Sequence, residues 1–178
     1  MAGIVSPCVL EKETHIATIL NIPMLGTLSR LLTSGMYVVR GDSMAPALQE
    51  RDGLLASRVD YLASPPARGD IVIVREVPLG GRRTIKRIVG LPGEEVRFAD
   101  SILFISGEPF DEPYLHGQPH TRGLEEQSWT LGDAEYFVLG DNRLHSTDSR
   151  THGPTHRSRI IGKAWFRYWP LSRWGSPV

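Results

Sequence analysis

Glycine and proline punctuate this chain between short runs of β-branched and aromatic residues, and this pattern constrains the fold most. The 178 residues include 18 glycines and 13 prolines. Short apolar runs bounded by turn residues predict many short strands, and they disfavour a helical bundle or a parallel βαβ fold. We therefore predict one mainly β domain, with strands at residues 36–39, 53–59, 71–74, 82–89, 96–98, 102–105, 135–139 and 159–169.

The composition excludes several classes of function. Lysine plus arginine and aspartate plus glutamate number 20 each, so no net charge attracts a nucleic acid. The single cysteine, Cys8, rules out an intrachain disulfide and a CxxC metal site. The spacing of His145, His152 and His156 fits no common zinc site. We therefore expect no nucleic-acid partner, no metal and no cofactor.

The most apolar stretch of any length is IATILNIPMLGTLSRLL, at residues 16–32. A membrane-spanning helix needs about 20 mostly apolar residues, whereas this stretch is interrupted by Asn21, Pro23 and Arg30. It also lacks the basic start and the small-residue cleavage site of a removed signal peptide. Two interpretations stay open at this point: an amphipathic or degenerate membrane anchor, and a helix that packs on the domain.

Ser43 lies in the segment GDSMAPAL, at residues 41–48, directly after the first predicted strand. Pro46 ends that strand region, because proline has no backbone N–H and biases the preceding residue toward an extended conformation. The serine is therefore either a turn residue that bonds to the backbone or a hydroxyl presented to a substrate. Lys86 lies inside the predicted strand at 82–89. The loop GDNRLHSTDSR, at residues 140–150, is dense in side chains that bond to backbone.

Four segments, in this order along the chain, resemble the signature segments of bacterial type I signal peptidases. They are GDSMAPAL at 41–48, RGDIVIV at 68–74, KRIVGLPGE at 86–94 and GDNRLHSTDSR at 140–150. The stretch GEPFDEPYL, at 107–115, also resembles one commonly found in that family, and the similarity extends to mitochondrial inner-membrane peptidases. The resemblance implies a barrel-like catalytic domain of antiparallel β-sheet. It also implies a serine endopeptidase that removes signal peptides from exported preproteins.

The resemblance assigns roles to individual side chains. By the family pattern, Ser43 is the nucleophile, Lys86 is the general base, and Ser146 is the hydroxyl that orients the lysine amine. Asp148 and Arg150 form a pair that holds the last loop. A serine hydroxyl needs a nearby base, and a lysine serves as one only when it is neutral. Burial must therefore lower the pKa of this lysine from its usual value of roughly 10.4.

The same resemblance assigns the oxyanion and substrate sites. The backbone N–H of Ser43 is one oxyanion donor, whereas Gly41 provides no hydroxyl where some family members have a serine. Met44, Leu48 and Ile85 line a shallow apolar S1 pocket. Such a pocket accepts small residues, so the preferred cleavage site is Ala-x-Ala.

The resemblance also implies an organisation for the whole chain. Residues 1–35 are an N-terminal lead and a degenerate membrane anchor, and residues 36–178 are the catalytic β-domain, with a surface insertion at about 98–133. The implied partners are preprotein signal peptides and membrane lipid, with the domain on the extracytoplasmic face of the cell membrane.

Two alternatives belong to other classes of protein. One is a LexA-like self-cleaving domain, which shares a Ser/Lys pair on a related β fold, and the loop at 140–150 argues against it. The other is a catalytically idle β-domain that binds extended peptides as an added strand. The presence of Ser43, Lys86 and Ser146 together argues against the idle domain.

Overall fold

The computed structural model describes residues 30–76, 80–115 and 126–177. The predicted N-terminal anchor at 16–32 lies outside these residues except for its last three. Among the residues described, no helix is both long enough and apolar enough to cross a membrane. The division of the chain at residue 35 and the limits of the surface insertion stay predictions.

Strands dominate the described part of the chain, which also contains helical residues at 30–33, two further four-residue helices and three 3₁₀ turns. The strands are β1 (Ser34–Val38), β2 (Gly53–Ser57), β3 (Ile71–Glu76), β4 (Arg82–Gly90), β5 (Glu95–Ala99), β6 (Ile102–Ile105), β7 (Glu108–Pro109), β8 (Gln127–Thr130), β9 (Glu135–Leu139), β10 (Thr155–His156) and β11 (Ile160–Trp169). The helices are α1 (Asp60–Ala63) and α2 (Ser149–His152), and the 3₁₀ turns are Pro113–Leu115, Arg157–Arg159 and Leu171–Arg173.

A seven-stranded sheet with the order β1-β2-β11-β3-β4-β9-β10 forms the body of the domain. Its strand pairs are all antiparallel, so the predicted fold class, mainly β with antiparallel sheets, is confirmed. The eight strands predicted from the sequence occur as β1–β6, β9 and β11, with bounds that differ by two residues at most. Glycine and proline between β-branched runs were therefore a sound guide to the turns.

The central strand β3 supplies the core of this sheet, because Ile71, Val72, Ile73 and Val74 are all fully buried. Successive side chains of a strand point to opposite faces, so this unbroken apolar run contributes to two cores. On one face the buried cluster is Val72, Val74, Ile88, Tyr136, Val138 and Ile160, and on the other it is Val39, Met44, Leu48, Leu54, Ile71 and Ala164. Each fully buried aliphatic side chain contributes about 1.5–3 kcal/mol.

Strand β4 pairs with a different strand along each half of its length, and the two pairings overlap only at Arg87. It pairs with β3 from Arg82 to Arg87, but with β9 only from Arg87 onward. The hydrogen-bonding edge of residues 82–86 that faces away from β3 therefore has no strand partner among the described residues. We call these residues the open edge of β4.

A second, four-stranded sheet with the order β7-β6-β5-β8 covers one end of the main sheet. Its aromatic core contains Phe98 and Trp129, and the Trp129 ring lies 4.8 Å from that of Phe137 on β9. The two sheets approach closely at Gly90, where an added Cβ atom would lie 2.5 Å from the side chain of Val96. The second sheet therefore packs on the strands that lead into the polar loop at 140–150.

Candidate active site

The segment that carries Ser43 is a turn between β1 and β2. A backbone hydrogen bond of 2.9 Å from Val39 N–H to the Asp52 carbonyl closes its base. Gly41 has a φ of 85°, a left-handed conformation that glycine adopts without steric cost. Its N–H donates to the Glu50 carboxylate and is thus already engaged. The turn holds Ser43 half-buried at the edge of the sheet.

Lys86, on the open edge of β4, brings its amine to this serine. Its Nζ atom lies 3.4 Å from Ser43 Oγ, although the two residues are 43 positions apart. The lysine is only 3% exposed, which is unusual for a lysine that makes no ion pair among the described residues. Strand β3 covers its backbone through the register pair with Val72. The structure therefore places the predicted nucleophile and the predicted base within contact distance.

The surroundings of Lys86 favour a neutral amine. Burial lowers the pKa of Lys86 below its usual value, because an ammonium group loses its hydration there. The negative charges of Asp148 and Glu76 act in the opposite direction, and the positive charge of Arg150 adds to the lowering. The net direction is downward. A neutral amine beside a hydroxyl can accept its proton.

The loop at residues 140–150 is fastened to the turn of Ser43 through Asn142. The backbone N–H of Asn142 donates to the Ser43 carbonyl at 3.0 Å, and its side-chain amide donates to the Asp42 carbonyl at 3.2 Å. His145 then contacts the Asn142 amide oxygen through Nδ1, at 3.2 Å. The resemblance gave no role to Asn142, and its position in the signature loop is the only sequence signal that pointed to a functional role for this residue.

Ser146 is packed against the same turn but is not hydrogen-bonded to Lys86. Its Oγ atom is buried, and the Ser146 hydroxyl contributes to the lowered pKa of Asp148. A Cβ atom on Gly140 would lie 2.2 Å from Ser146 Oγ and 2.5 Å from the Ser43 carbonyl oxygen. Only a glycine at 140 thus allows the loop and the turn to approach so closely. The orienting role of Ser146 stays a prediction.

Asp148 and Arg150 lie together, as the resemblance implied. Arg150 donates to the Asp148 carboxylate from Nε and from Nη2, each at 2.8 Å. Asp148 also accepts the backbone N–H of Gly140 at 3.0 Å. Burial alone would raise the pKa of Asp148, but Arg150 and this backbone donor hold it below its usual value. The pair therefore fixes both ends of the loop.

Two buried ion pairs were not predicted from the sequence. Arg87 forms a bidentate pair with Asp141, at 2.9 and 2.7 Å, and its guanidinium lies 4.1 Å from the centre of the Tyr114 ring. Arg143 forms a second bidentate pair, with Glu112. All four charged groups lie in the segments that carry the resemblance, but the sequence alone gives no partner for any of them. Removing one partner of such a buried pair costs about 3–5 kcal/mol.

A cavity of about 490 Å³ opens beside Ser43 and Lys86. Of the three residues predicted for the S1 pocket, Met44 and Ile85 line this cavity and Leu48 does not, and the pocket itself stays a prediction. Leu48 is fully buried in the core below the turn, where it packs in the cluster with Leu54. The rest of the lining consists of residues 37–42 and of Ile73, Arg82, Arg83, Thr84, His145 and Thr147. In the described part of the chain, no group of histidine, cysteine and carboxylate side chains is placed to hold a metal ion.

Comparison with known proteins gives consistent matches. The family model described as signal peptidase, peptidase S26, matches residues 12–169. A signal peptidase I of Bacillus caldolyticus is 36% identical over 155 residues, which are 81% of this chain and 84% of that protein. Signal peptidase I U of Bacillus subtilis is 34% identical over 176 residues, 91% of this chain and 92% of that protein. The crystal structure of a signal peptidase I from Enterococcus faecalis aligns with a TM-score of 0.48 at 33% identity, over 55% of this chain and 95% of that chain.

The protein is a serine peptidase, a class of hydrolase, because the family model matches. The half-buried serine beside a buried lysine in an antiparallel β domain is consistent with this class. The chain belongs to the signal peptidase family, peptidase S26. This membership favours the peptidase interpretation of the sequence over the LexA-like domain and over the idle peptide-binding domain.

Proposed function

We propose that this chain removes signal peptides from exported preproteins, with Ser43 as the nucleophile and Lys86 as the general base. The observation that carries the proposal is the distance of 3.4 Å between Lys86 Nζ and Ser43 Oγ. In addition, burial lowers the pKa of this lysine. The serine stands at the wall of a cavity, so an extended peptide can reach it. The lysine amine is sealed from bulk water, where it would be charged.

The proton transfers follow from this geometry. As Ser43 Oγ attacks the scissile carbonyl, its proton passes to Lys86 Nζ, and the lysine becomes an ammonium. The ammonium then donates that proton to the leaving amine nitrogen, so that the C–N bond breaks and an acyl-enzyme forms. A water molecule next attacks the ester and gives a proton to the neutral lysine. The Ser43 alkoxide recovers a proton from Lys86 as it leaves.

The oxyanion of each tetrahedral intermediate needs hydrogen-bond donors. The backbone N–H of Ser43 donates to no acceptor among the described residues, so it is available for this role. The N–H of Gly41 is engaged by Glu50, and that glycine has no side chain to help. We therefore assign one donor, Ser43 N–H, to the oxyanion site.

The substrate binds as an added strand along the open edge of β4. That edge ends at Lys86, because β9 takes the pairing positions from Arg87 onward. An extended peptide paired with residues 82–86 therefore brings its scissile bond to Ser43 and its preceding residues to Ile85 and Met44. These two side chains leave a shallow apolar space, which suits small residues at −1 and −3.

The proposal is tested with the purified full chain and a preprotein that carries an Ala-x-Ala site. Ser43→Ala and Lys86→Ala should each lower kcat at least about 10³-fold, and the double variant should be no slower than either one, because the two groups act as a unit. Ser172→Ala, at an exposed serine of the last 3₁₀ turn, is the matched control. Retention of a tenth of the activity in either single variant, with the fold intact by circular dichroism, would exclude the pair.

The pocket makes a separate prediction about the substrate. Replacing the −1 alanine of the preprotein by leucine or lysine should lower kcat/KM by at least about 10²-fold, because the space between Met44 and Ile85 admits neither side chain. A −1 serine, similar in size to alanine, is the control and should be cleaved well. Efficient cleavage after lysine would contradict the assignment of the pocket.

We also propose that the protein works at a membrane, on its extracytoplasmic face. Family membership supports membrane association, and so does an apolar patch on the outer face of β1, β2 and β11. Met36 is 70% exposed and Val38 55%, and they share this face with Trp169 and Trp174, which are 54% and 65% exposed. Aromatic and apolar side chains of this kind bind the boundary between headgroups and acyl chains. We call these four residues the outer apolar patch.

A further inference from the structure

The cavity beside Ser43 has a basic rim that the proposed mechanism does not use. Arg40, Arg82 and Arg83 line the cavity and are exposed, and none of them makes an ion pair or side-chain hydrogen bond within the described residues. Asp42 is the one acidic side chain in the described lining, and its carboxylate faces the Asn142 amide at 3.5 Å. The rim therefore carries three positive charges that no described residue pairs, in a chain whose total charge is zero.

Two of these arginines lie at a defined distance from the reacting groups. Arg82 and Arg83 are the first residues of the open edge of β4, four and three positions before Lys86. A strand rises about 3.3 Å per residue, so they lie about 10–13 Å from the lysine along the edge. The edge is blocked beyond Lys86 by β9, so a bound strand can extend only toward the arginines.

The position of the pocket fixes which part of the substrate meets the arginines. Ile85, next to Lys86 on the same edge, belongs to the pocket for the residues that precede the scissile bond. A substrate strand whose −1 residue lies at Ser43 therefore places residues −4 to −6 beside Arg82 and Arg83. A carboxylate there can pair with a guanidinium in a fork geometry.

We propose that Arg82 and Arg83, together with Arg40 of the same cavity, select substrates that have an acidic residue at −4 to −6. The inference rests on the proposed function, because it requires a preprotein strand on the open edge of β4. The arginines lie within the cavity that contains Ser43, beside that edge. For this reason we assign them to the substrate and not to anionic lipid headgroups.

The test compares preproteins that are identical except for Asp, Asn or Lys at −5. For the unmodified enzyme, kcat/KM for the Asp substrate should exceed that for the Lys substrate about three- to tenfold at low salt, the range expected for one or two exposed charge pairs. The ratio should approach one in about 0.5 M NaCl, where such pairs are screened. The Asn substrate should be intermediate.

Variants then locate the effect. Arg82→Gln with Arg83→Gln should bring the ratio close to one, and Arg82→Glu with Arg83→Glu should invert it. Arg58→Gln is the matched control, because Arg58 is exposed, carries the same charge and lies outside this cavity. It should keep the ratio of the unmodified enzyme.

The outcomes separate the inference from the proposed function. If the unmodified enzyme cleaves all three substrates at equal rates at low salt, the arginines do not discriminate between charges at −5 and the inference is wrong. If it cleaves none of them, the proposed function itself fails. If the Gln variants keep the ratio but lose stimulation by vesicles of phosphatidylglycerol, the arginines bind lipid, and the inference is overturned in favour of that partner.

Discussion

The proposed chemistry depends, at the scale of one residue, on the charge of Lys86. A lysine that is 3% exposed and faces a serine hydroxyl at 3.4 Å is costly to keep charged, because its carboxylate neighbours do not offset the lost hydration. The folded protein therefore holds this proton less tightly than the unfolded chain does. Burial of the Lys86 amine therefore both favours its proposed role as a base and lowers the stability of the folded protein.

The lowered pKa of Lys86 has a definite consequence for stability. Below its folded pKa, the lysine is charged in both states, and the full desolvation penalty opposes folding. The penalty shrinks as pH rises above that pKa, and it vanishes above the unfolded value, 10.5. Lys86→Met removes the charge at similar volume. We therefore expect the variant to be inactive, and at pH 7 to be at least as stable as the parent.

Urea unfolding of both proteins at a series of pH values measures this difference. The advantage of Lys86→Met should be largest at neutral pH and should decrease as pH approaches 10.5. Lys163→Met serves as the control, because Lys163 is a partly exposed lysine paired with Asp70 at 2.6 Å. That variant should gain no stability at neutral pH. A clear loss of stability in Lys86→Met at pH 7 would show that the amine is charged and paired.

The sequence was informative about single residues only where the chemistry was local. It pointed to Ser43 and Lys86 through the segments around them, and the structure places their side chains in contact. It gave no partner for Arg87 or Arg143, whose carboxylates come from segments 54 and 31 residues away. Charge pairing over such separations depends on the folded path of the chain, which residue types do not specify.

At the scale of elements, the site is the junction of a turn, a strand and a loop. The turn carries Ser43, β4 carries Lys86, and the loop at 140–150 meets the turn at Gly140 and Asn142. The Arg87–Asp141 ion pair and the hydrogen bond from Gly140 N–H to the Asp148 carboxylate hold the loop in place. Movement of the loop by an ångström therefore moves the backbone of the nucleophile.

Gly140→Ala tests this junction directly. The new Cβ atom would lie 2.2 Å from Ser146 Oγ and 2.5 Å from the Ser43 carbonyl oxygen, so the loop and the turn must separate. We expect kcat to fall by about 10²-fold, the size of loss that a displacement of about 1 Å at a reacting group produces. Measurement of kcat and of the melting temperature separates this effect from global unfolding.

Gly132→Ala is the matched control for that experiment. At Gly132 the added Cβ atom would approach its nearest neighbour, the Glu135 carboxylate, only to 3.4 Å, which is an ordinary contact. This variant should keep its activity. Full activity in Gly140→Ala would show that the loop and the turn are not mechanically coupled.

The elements themselves were predictable where their apolar pattern was continuous. The run from Ile71 to Val74 gave β3, and the apolar run that follows Glu135 gave β9. Strand β8 was missed because Gln127, Ser128 and Thr130 are polar, and only Trp129 packs into the aromatic core. Its pairing with β5 is a tertiary interaction that outweighs the weak local pattern.

At the scale of the whole molecule, the outer apolar patch and the active site lie on strands of the same sheet. Met36 is in register with Leu55, which is in turn in register with Phe166, so a row of apolar side chains crosses three strands. Trp174 packs on Phe166 edge to face, at 5.1 Å between ring centres. Leu31 and Leu32, also exposed, precede β1 directly. In the chain, β1 and its share of the outer apolar patch therefore follow closely on the stretch that the sequence offered as a possible membrane anchor.

Binding of the full chain to phospholipid vesicles tests whether this patch contacts lipid. Met36→Ser with Trp174→Ser should weaken binding about 30-fold, because each of the two exposed apolar side chains transferred from water is worth on the order of 1 kcal/mol. Vesicles with brominated acyl chains should quench tryptophan fluorescence of the parent, and Trp174→Phe should reduce that quenching. Leu62→Ser, at a leucine that is 83% exposed on α1, is the control and should bind as the parent does. If the double variant binds unchanged and the bromolipid quenches nothing, the patch faces water, and membrane contact must come from another part of the chain.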